Sequence, residues 1–487
     1  MNLKRFALAI IMVVAANSLF VFNLAIAENL DTSENIQEIV VTTTREARNL
    51  NEMAESIAVL SEQALRNISP SHPAEALNRI AGVHINNLGG EGHMASIRQP
   101  IPTAGVYLFL EDGLPTRPTG FFNHNGLYEI NIPQSSRVEV IKGPASALYG
   151  SDSIGGVINV ISKAPSMVSE TDINYERGSD GWQRSLLSLS NGDDSLAARL
   201  DFNHTRSDGF RDAAEYDRQS LTGRIDGQIS ERMHVKLIAA HSTIDQSGVS
   251  SLEFDDYQNS RTKNFYHDQI GFREVKALRV SAEFAYRIIG EQLLTLTPFY
   301  RDNQMAMMPS WMVSYDPNLR DYDFTSYGAL LKYRQRFLDN ALELIVGMDF
   351  DSTPSTYTEE KIAVTQTDEG IYPDYSRSGV LNYHFDAKQR SLSPYIQAEL
   401  QLNNQWRLNL GVRHDQFTVD YENFLPADPA GFSHRRPAST SIDYSNTSPK
   451  FGAVYQYAND HQAYANYRYA FRAPTVGSLF RAGSSQN

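Results

Sequence analysis

From about Val168 to the end of the sequence, one pattern repeats. Runs of about ten residues alternate apolar and polar side chains, with polar turns between them. In Ala198–Asn203, the Ala, Leu and Phe side chains fall on one face of an extended chain, and Arg, Asp and Asn fall on the other. Similar runs are Ile396–Leu402, Arg407–His414 and Phe451–Tyr457. This period predicts many successive β-strands, which could form a soluble sandwich or a transmembrane barrel.

The composition restricts the membrane segments and partners that this chain can have. A membrane-spanning helix needs a long apolar run, and the sequence contains only one such run, Phe6–Leu24 at the N-terminus. The composition therefore argues against a protein built from membrane-spanning helices. The 25 Tyr and 23 Phe suit the aromatic girdles of a barrel, or an aromatic-rich sandwich. The net charge of -14 argues against a nucleic-acid partner. The lack of cysteine excludes disulfides, thiolate metal sites and cysteine nucleophiles.

Residues 1–27 have the pattern of a secretory signal peptide. Lys4 and Arg5 give a positive start, Phe6–Leu24 is apolar, and Ala25–Ala27 has the small-x-small form of a cleavage site. We predict that this segment is removed and that Glu28 begins the mature chain. An uncleaved membrane anchor is the alternative, since the apolar run is long for a leader.

A β-branched segment lies soon after the predicted cleavage site. Successive β-branched residues prefer extended backbone and resist helix formation. Near a flexible terminus, such a segment can add itself to the edge of another protein's sheet, or it can be the first strand of the next domain. The residues concerned are Glu38, Ile39, Val40, Val41, Thr42 and Thr43.

Residues 51–167 are predicted to form a separate mixed α/β domain. Pro73–Ile80 has Pro in the first turn of a predicted helix, and Gly82 lies just past its end. Ser96–Arg98 and Val106–Gly113 predict strands, the second ending in an Asp-Gly turn. In Arg137–Lys163, a strand, a Gly-Pro stop, one helical turn, a glycine-rich turn and a second strand follow one another.

These motifs, in this order, resemble the plug domain of TonB-dependent outer-membrane receptors. One departure is Gln99, which stands where the family usually has Gly. The resemblance implies that residues 28–50 form a periplasmic N-terminal segment. Within it, residues 38–43 resemble the TonB box, the segment that TonB recognises in this family. Only Glu28–Gln37 separate the leader from this box, which leaves no room for the extra domain of signalling receptors, so transport without a signalling arm is expected.

The resemblance implies a mixed fold, with a small α/β plug domain followed by a large antiparallel transmembrane β-barrel over residues 168–487. Related receptors are expected to have 22 barrel strands, and the alternation accounts for about 13 here. Phe471–Thr475 resembles a motif that usually lies well inside the family's barrel. We therefore expect a fragment or an interrupted reading frame that lacks roughly the last third of the barrel. A smaller closed barrel is the alternative.

Ten-residue strands are expected to meet in loops of two kinds. Short turns such as Asn191–Asp194 and Asn403–Asn404 are predicted to face the periplasm. Longer polar connections are predicted to be outside loops, near Ser247–Asp268, Met305–Asp321, Thr353–Lys388 and Asn423–Asn446. Pro298, inside a predicted strand, is expected at a bulge or a strand end.

The function implied by the resemblance is import of a ferric siderophore or similar iron complex, driven from the inner membrane through TonB. Haem or cobalamin uptake is the alternative within the family, and a passive porin or a secreted β-rich adhesin is the alternative outside it. No enzyme is expected, because no GxSxG, HExxH or P-loop motif occurs. We expect no cofactor and no protein-bound metal, and a monomer in outer-membrane lipid.

The candidate ligand contacts are placed on glycine-rich turns of the plug, chiefly in Thr116–Tyr128, where aromatic rings could stack on a ligand and polar groups could bind it. The competing interpretation is that the two Phe side chains pack inside the plug. The candidates are His93, Arg117, Phe121, Phe122, Asn123, His124 and Asn125. In a haem receptor, His93 or His124 could be half of a ligating pair. A soft apolar loop, with Met305, Met307, Met308 and Trp311, could touch a hydrophobic ligand.

Charged residues in the plug motifs are candidates for ion pairs that act as a switch, within the plug or between plug and barrel. Buried pairs of this kind are poor evidence for stability, but they suit a switch. A solvated charge on a loop is the alternative for each of them. The candidates are Arg98, Glu111, Asp112, Arg137, Glu139 and Lys142.

Overall fold

The computed structural model describes residues 53–102, 105–121, 125–267, 269–427, 434–458 and 461–481, together with the backbone of four residues nearer the N-terminus. These four form β1 (Ile39–Val40) and β2 (Arg48–Asn49), which pair antiparallel. The predicted signal peptide, and Glu38, Val41, Thr42 and Thr43 of the predicted TonB box, lie outside the described residues.

A small mixed α/β unit precedes the large sheet. Its five-stranded sheet has the order β3-β8-β9-β6-β7, in which β6 and β9 are parallel, and β4 and β5 form a separate hairpin. The strands are β3 (Ile57–Ser61), β4 (Val83–Asn87), β5 (His93–Ile97), β6 (Tyr107–Glu111), β7 (Leu114–Pro115), β8 (Ser135–Lys142) and β9 (Gly156–Ser162). The α-helices are α1 (Glu62–Ile68), α2 (Pro73–Leu77) and α3 (Ser146–Tyr149), with 3-10 turns at Gly126–Glu129 and Ile132–Gln134.

Local sequence explains these elements. The Ser61 side chain accepts a hydrogen bond from the Ala64 amide and so caps α1, while Pro73 fits the first turn of α2. Strand, helical turn and strand occur in Arg137–Lys163 as predicted. Leu77, Phe109, Val138 and Ile158 lie fully buried in one apolar core between the sheet, the hairpin and the helices.

The second part is a single sheet of 13 strands, β10 to β22, in which each strand pairs antiparallel with the next along the chain. The sheet is open, because within the described ranges β10 and β22 do not pair with each other. The smaller closed barrel is therefore wrong for this structure. The strands are β10 (Glu170–Arg177), β11 (Gln183–Gly192), β12 (Leu196–Ser207), β13 (Tyr216–Ser230), β14 (Met233–Ser247), β15 (Phe272–Arg287), β16 (Leu293–Met307), β17 (Asn318–Phe337), β18 (Leu342–Val364), β19 (Tyr375–Gln401), β20 (Trp406–Asn423), β21 (Thr440–Ala458) and β22 (His461–Arg468).

The sheet buries its polar face. On β12, Arg199, Asp201 and Asn203 are buried, whereas Leu200 and Phe202 on the opposite face are half-buried. This is the reverse of a soluble sandwich, where apolar side chains fill the interior. It is the arrangement of a wall with lipid outside and polar groups inside, as the alternation predicted. Among the described residues, no helix is long and apolar enough to cross a bilayer.

The connections define two ends of the sheet. At the end we call the short-turn end, strands join through 193–195, 231–232, 288–292, 338–341 and 402–405. At the other, the long-loop end, they join through 178–182, 208–215, 248–271, 308–317, 365–374 and 424–439. The loop 248–271 carries helix α4 (Phe254–Asn259), and a 3-10 turn spans Ser310–Met312. A last helix, α5 (Val476–Phe480), follows β22.

Two strand predictions need correction or comment. The long loop predicted over Thr353–Lys388 is wrong, since β18 and β19 continue through most of it and pair closely. Their polar side chains resemble a loop in sequence because the strands extend beyond an apolar band.

Pro298 lies inside β16 where the β15–β16 pairing is interrupted, so its missing N–H breaks no regular ladder on that side.

Candidate functional site

The small α/β unit lies against the inner, polar face of the sheet and is held there by arginines. We call the 13-stranded sheet the wall, and each of seven wall arginines donates a hydrogen bond to a backbone carbonyl of the small unit, at distances of 2.6 to 3.1 Å. Such bonds can be exchanged for bonds to water at modest net cost, unlike an apolar core. The pairs are Arg184 with Pro70, Arg218 with Ile130, Arg224 with Ser162, Arg279 with Glu129, Arg301 with Pro115, Arg413 with Leu148, and Arg468 with Pro144.

One of the six predicted switch residues reaches the wall in a buried ion pair. Glu111 accepts from Arg279 on β15 at 2.8 and 2.9 Å. Glu129, beside it, is fully buried, and its Oε2 lies 3.5 Å from Arg279 Nη1. Burial raises the pKa of the Glu111 carboxyl, an effect that the neighbouring Arg279 guanidinium opposes.

The other switch candidates make contacts within the small unit. Arg137 and Glu139 form an ion pair at 2.7 Å. The Lys142 ammonium donates to the Ala81 carbonyl, and Arg98 donates to the Ser56 hydroxyl; neither forms an ion pair among the described residues. Asp112 accepts from the Ser162 amide at 3.2 Å and so fixes the turn after β6.

A cavity of about 120 Å³ opens between the small unit, the inner wall and the segment after β22, near the long-loop end. Its lining combines arginine with aromatic and methionine side chains. From the small unit come Arg117, Asn125 and Tyr128; from the wall and the 308–317 loop come Arg273, Met305, Met307, Trp311, Arg320, Tyr322, Tyr357 and Phe385; from the end of the described chain come Thr475, Val476, Gly477 and Arg481.

Two carboxylates behind the cavity hold three of its four arginines. Glu129 pairs with Arg117, and its carboxylate raises the pKa of Arg117 although burial opposes the rise. Glu359 pairs with Arg481 at 2.7 Å and with Arg320 at 3.2 Å. Sequence reasoning missed both carboxylates, because a single acidic residue in a loop or strand carries no distinguishing pattern.

The predicted ligand contacts fall into three groups. Arg117 and Asn125 line the cavity, as do Met305, Met307 and Trp311 of the soft apolar loop. Phe121 does not; it is buried against the wall, where its ring stacks on Tyr322 at 5.4 Å. Met308 lies in a separate apolar cluster. Phe122, Asn123 and His124 lie outside the described residues.

His93 is placed in the core of the small unit. Its side chain is fully buried, Nδ1 lies 2.9 Å from the Glu91 carbonyl oxygen, and Nε2 accepts from the Leu127 amide at 3.2 Å. Asn125 accepts from the His93 backbone amide. In this conformation both ring nitrogens are engaged within the core, and neither faces the cavity. His93 instead positions the turn that carries Asn125.

The segment 469–481 connects the wall to one end of the small unit, around Gly120 and Ser151, which we call the tip of the plug or small unit. The Val476 amide donates to the Gly120 carbonyl at 2.9 Å, and the Ala473 amide donates to the Ser151 hydroxyl at 2.8 Å. Phe480 stacks on Tyr421 of β20 with ring centroids 4.0 Å apart. The motif Phe471–Thr475 lies within this segment, and its Ala473 makes one of the contacts to the small unit.

Family comparisons agree with this architecture. Residues 49–157 match the family described as TonB-dependent Receptor Plug Domain, and residues 148–487 match the family described as TonB dependent receptor-like, beta-barrel. The second match alone covers more than half of the chain.

Two curated relatives are both vitamin B12 transporters named BtuB. That of Vibrio vulnificus strain CMCP6 is 33% identical over 167 residues, which are 34% of this chain and 26% of that protein. That of strain YJ016 is 24% identical over 432 residues, which are 83% of this chain and 63% of that protein. The chain therefore spans less than two thirds of the length of these relatives.

Solved structures share the fold at low identity. The unliganded ferric citrate transporter FecA superposes with a TM-score of 0.74 at 17% identity, over 88% of this chain and 65% of that chain. The open form of the ferric-catecholate import receptor Fiu from E. coli K12 gives 0.68 at 19% identity, over 88% and 71%. The matched families are receptors, not enzymes. The chain belongs to the TonB-dependent receptor family, with a plug domain followed by 13 strands of the family's β-barrel.

Proposed function

We propose that the protein is an outer-membrane receptor that imports a ferric siderophore or similar iron complex, with the plug as its gate and TonB as its source of energy. The long-loop end faces the outside, and the short-turn end faces the periplasm. Ligand enters between the long loops and reaches the cavity above the plug.

The observation that carries this proposal is how the plug is held. Wall arginines bind its backbone carbonyls, and Arg279 binds Glu111 beside Glu129. Water can replace these polar contacts while the plug slides or partly unfolds, whereas apolar contacts such as that of Phe121 with Tyr322 would have to separate. A passive porin needs no such plug, and a secreted adhesin needs no polar inner wall.

Energy would be delivered through the N-terminal segment. Ile39 and Val40 are extended and paired with β2, which suits a segment that can exchange its partner for a strand of TonB. Just beyond, the Ala54 carbonyl accepts from Asn466 on β22. A pull on residues 38–43 would therefore load the plug close to this contact between Ala54 and the wall.

Deletion of residues 38–43 tests the transport mechanism. In cells that carry the complete gene, surface binding of the iron complex should survive while uptake is lost. Unchanged uptake would contradict energised import, and loss of both would point to misfolding, which surface display of the deleted protein checks.

Cobalamin is the second candidate cargo, and the observation that favours it is the similarity to relatives named as vitamin B12 transporters. Growth on defined iron sources and on limiting vitamin B12, in strains that lack other receptors, separates the two cargoes. The iron proposal expects the gene to restore growth on an iron complex and not on vitamin B12. Haem remains a family alternative, with His93 buried in the plug core.

A further inference from the structure

Arg273 on β15 stands apart from the other cavity arginines. Its Nε is shielded from solvent and has no hydrogen-bond partner in the part of the chain that the structure describes. No ion pair to Arg273 occurs in those residues either. Its side chain lines the cavity, together with Arg117, Arg320 and Arg481. The side chain is half-buried, so a shielded Nε without an acceptor and a charge without a counter-ion are both costly, and the adjoining cations add to that cost.

The remaining charges of the cavity do not offset Arg273. Four guanidinium groups line the cavity, while the carboxylates bound to them are two, Glu129 and Glu359. Glu129 is further shared with Arg279 on the other side. Four positive and two negative charges leave an excess of two positive charges at the lining.

The rest of the cavity lining is largely aromatic and apolar. Tyr322, Tyr357 and Phe385 come from three successive strands, β17, β18 and β19, and Met305 and Trp311 also line the cavity. The volume, about 120 Å³, is below the 300 to 1,000 Å³ of a typical site for a whole small molecule. It suits one planar arm of a larger ligand, with the rest of the ligand under the long loops.

We propose that this cavity selects an anionic iron complex, and that Arg273 binds a pair of oxygens on one of its arms, a carboxylate or a catecholate. This rests on the proposed function and names the chemical class of its cargo. A guanidinium offers two parallel N–H donors, which match such an oxygen pair. A neutral complex would leave the excess positive charge uncompensated, and we expect the receptor to bind it more weakly than an anionic complex.

Binding to purified full-length receptor in detergent tests the inference directly. The probes are ferric citrate, a ferric tricatecholate and a neutral ferric trihydroxamate. Arg273→Gln should weaken binding of at least one of the two anionic complexes about 10- to 100-fold, the range of a charge-assisted hydrogen bond. Any binding of the neutral complex should change less than about 2-fold. Arg273→Lys should recover part of the loss, because it restores charge without the planar fork.

Arg261→Gln is the matched control. Arg261 lies exposed on the 248–271 loop, so the variant removes one positive charge at the same end without touching the cavity. It should leave equilibrium binding of the anionic complexes unchanged. The inference is overturned if neither anionic complex binds the wild-type receptor, if Arg273→Gln binds them normally, or if that variant weakens neutral and anionic complexes equally.

Uptake by cells separates this inference from the proposed function. Arg273-dependent binding of ferric citrate without any uptake of iron would contradict iron import and leave the anion site standing. Uptake of the neutral trihydroxamate with no effect of Arg273→Gln would support iron import and refute the anion site.

Discussion

Arg279 of the barrel wall and Glu111 of the plug form a buried ion pair, with Arg279 Nη2 2.8 Å and Nε 2.9 Å from the same carboxylate oxygen. Glu129 Oε2 lies 3.5 Å from Nη1 of the same guanidinium. The pair joins strand β6 of the plug to strand β15 of the wall. The plug can therefore move at this point only if the pair separates or both charges gain water.

Removing one partner of this pair should loosen the plug more than removing both. Glu111→Gln leaves Arg279 with less charge compensation, at a cost of about 3 kcal/mol, whereas Glu111→Gln with Arg279→Gln should cost less. Hydrogen exchange of the β6 amides measures the difference. Arg66→Gln, which breaks an exposed pair with Glu62, is the control and should change exchange little. Equal exchange in the single and double variants would contradict this account.

A side chain at Gly120 is expected to cost more than one at Gly113, because Gly120 combines a φ of +83° with a close approach to Gln389 of the wall. A Cβ there would lie 2.3 Å from Gln389 Oε1. Gly113 has nearly the same φ, +81°, and nothing within 4 Å of its Cβ position. Gly113→Ala should therefore cost only the backbone strain, about 1 kcal/mol, and Gly120→Ala should cost more.

The wall contact at Gly120 can be isolated by a second change. If the added cost comes from Gln389, then Gln389→Ala should reduce the loss in Gly120→Ala to that of Gly113→Ala. Thermal unfolding of the purified variants provides the comparison. If the single variants Gly120→Ala and Gly113→Ala have equal thermal-unfolding midpoints, Gln389 moves aside freely and the expected wall contact adds no cost.

Phe480→Ala should release the segment that holds the plug tip. The ring is 1% exposed and stacks on Tyr421, so its loss should cost about 3 kcal/mol of local stability. The Val476 amide, bonded to Gly120, should then exchange faster with solvent. Leu479→Ala, on a partly buried neighbour, should have a smaller effect. Unchanged exchange at Val476 in Phe480→Ala would show that the stacking does not hold the segment.

Asp152, at the plug tip, should make stability there depend on pH. Burial raises its pKa from 3.8 to about 7, although hydrogen bonding to Ser151 and the charge of Arg472 oppose the rise. Because the folded pKa lies above the unfolded one, its contribution is fully present below about pH 4 and is lost as pH rises through about 7. Local stability measured by hydrogen exchange should fall across that window.

Asp152→Asn should abolish the pH-dependent fall, whereas Asp193→Asn should keep it. Hydrogen bonds from Ser195 and Leu196 hold the pKa of Asp193 below its ordinary value, so its titration lies outside the window. A slope that persists in Asp152→Asn would assign the effect to another group.

Local sequence patterns predicted most of the fold, because strand alternation and the turn residues of Arg137–Lys163 act over a few positions. They predicted about 13 wall strands, and the sheet has 13. They failed where position depends on distant partners. Nothing near His93 marks it as a core residue bonded to Leu127, and nothing near Glu359 marks it as the partner of Arg481, 122 residues away. The length of β18 and β19 was missed because polar strand ends resemble loops.

The central claim is that the plug must move relative to the wall during transport. A reversible cross-link between plug and wall tests it most directly. Gln134 on the plug donates to Ser188 on β11 at 3.0 Å, and the native sequence contains no cysteine. With cysteines at both positions, a short disulfide-forming cross-linker should abolish uptake, leave ligand binding intact, and allow uptake again after reduction. Single-cysteine variants should be unaffected. Full uptake through a receptor shown to be cross-linked would contradict the account.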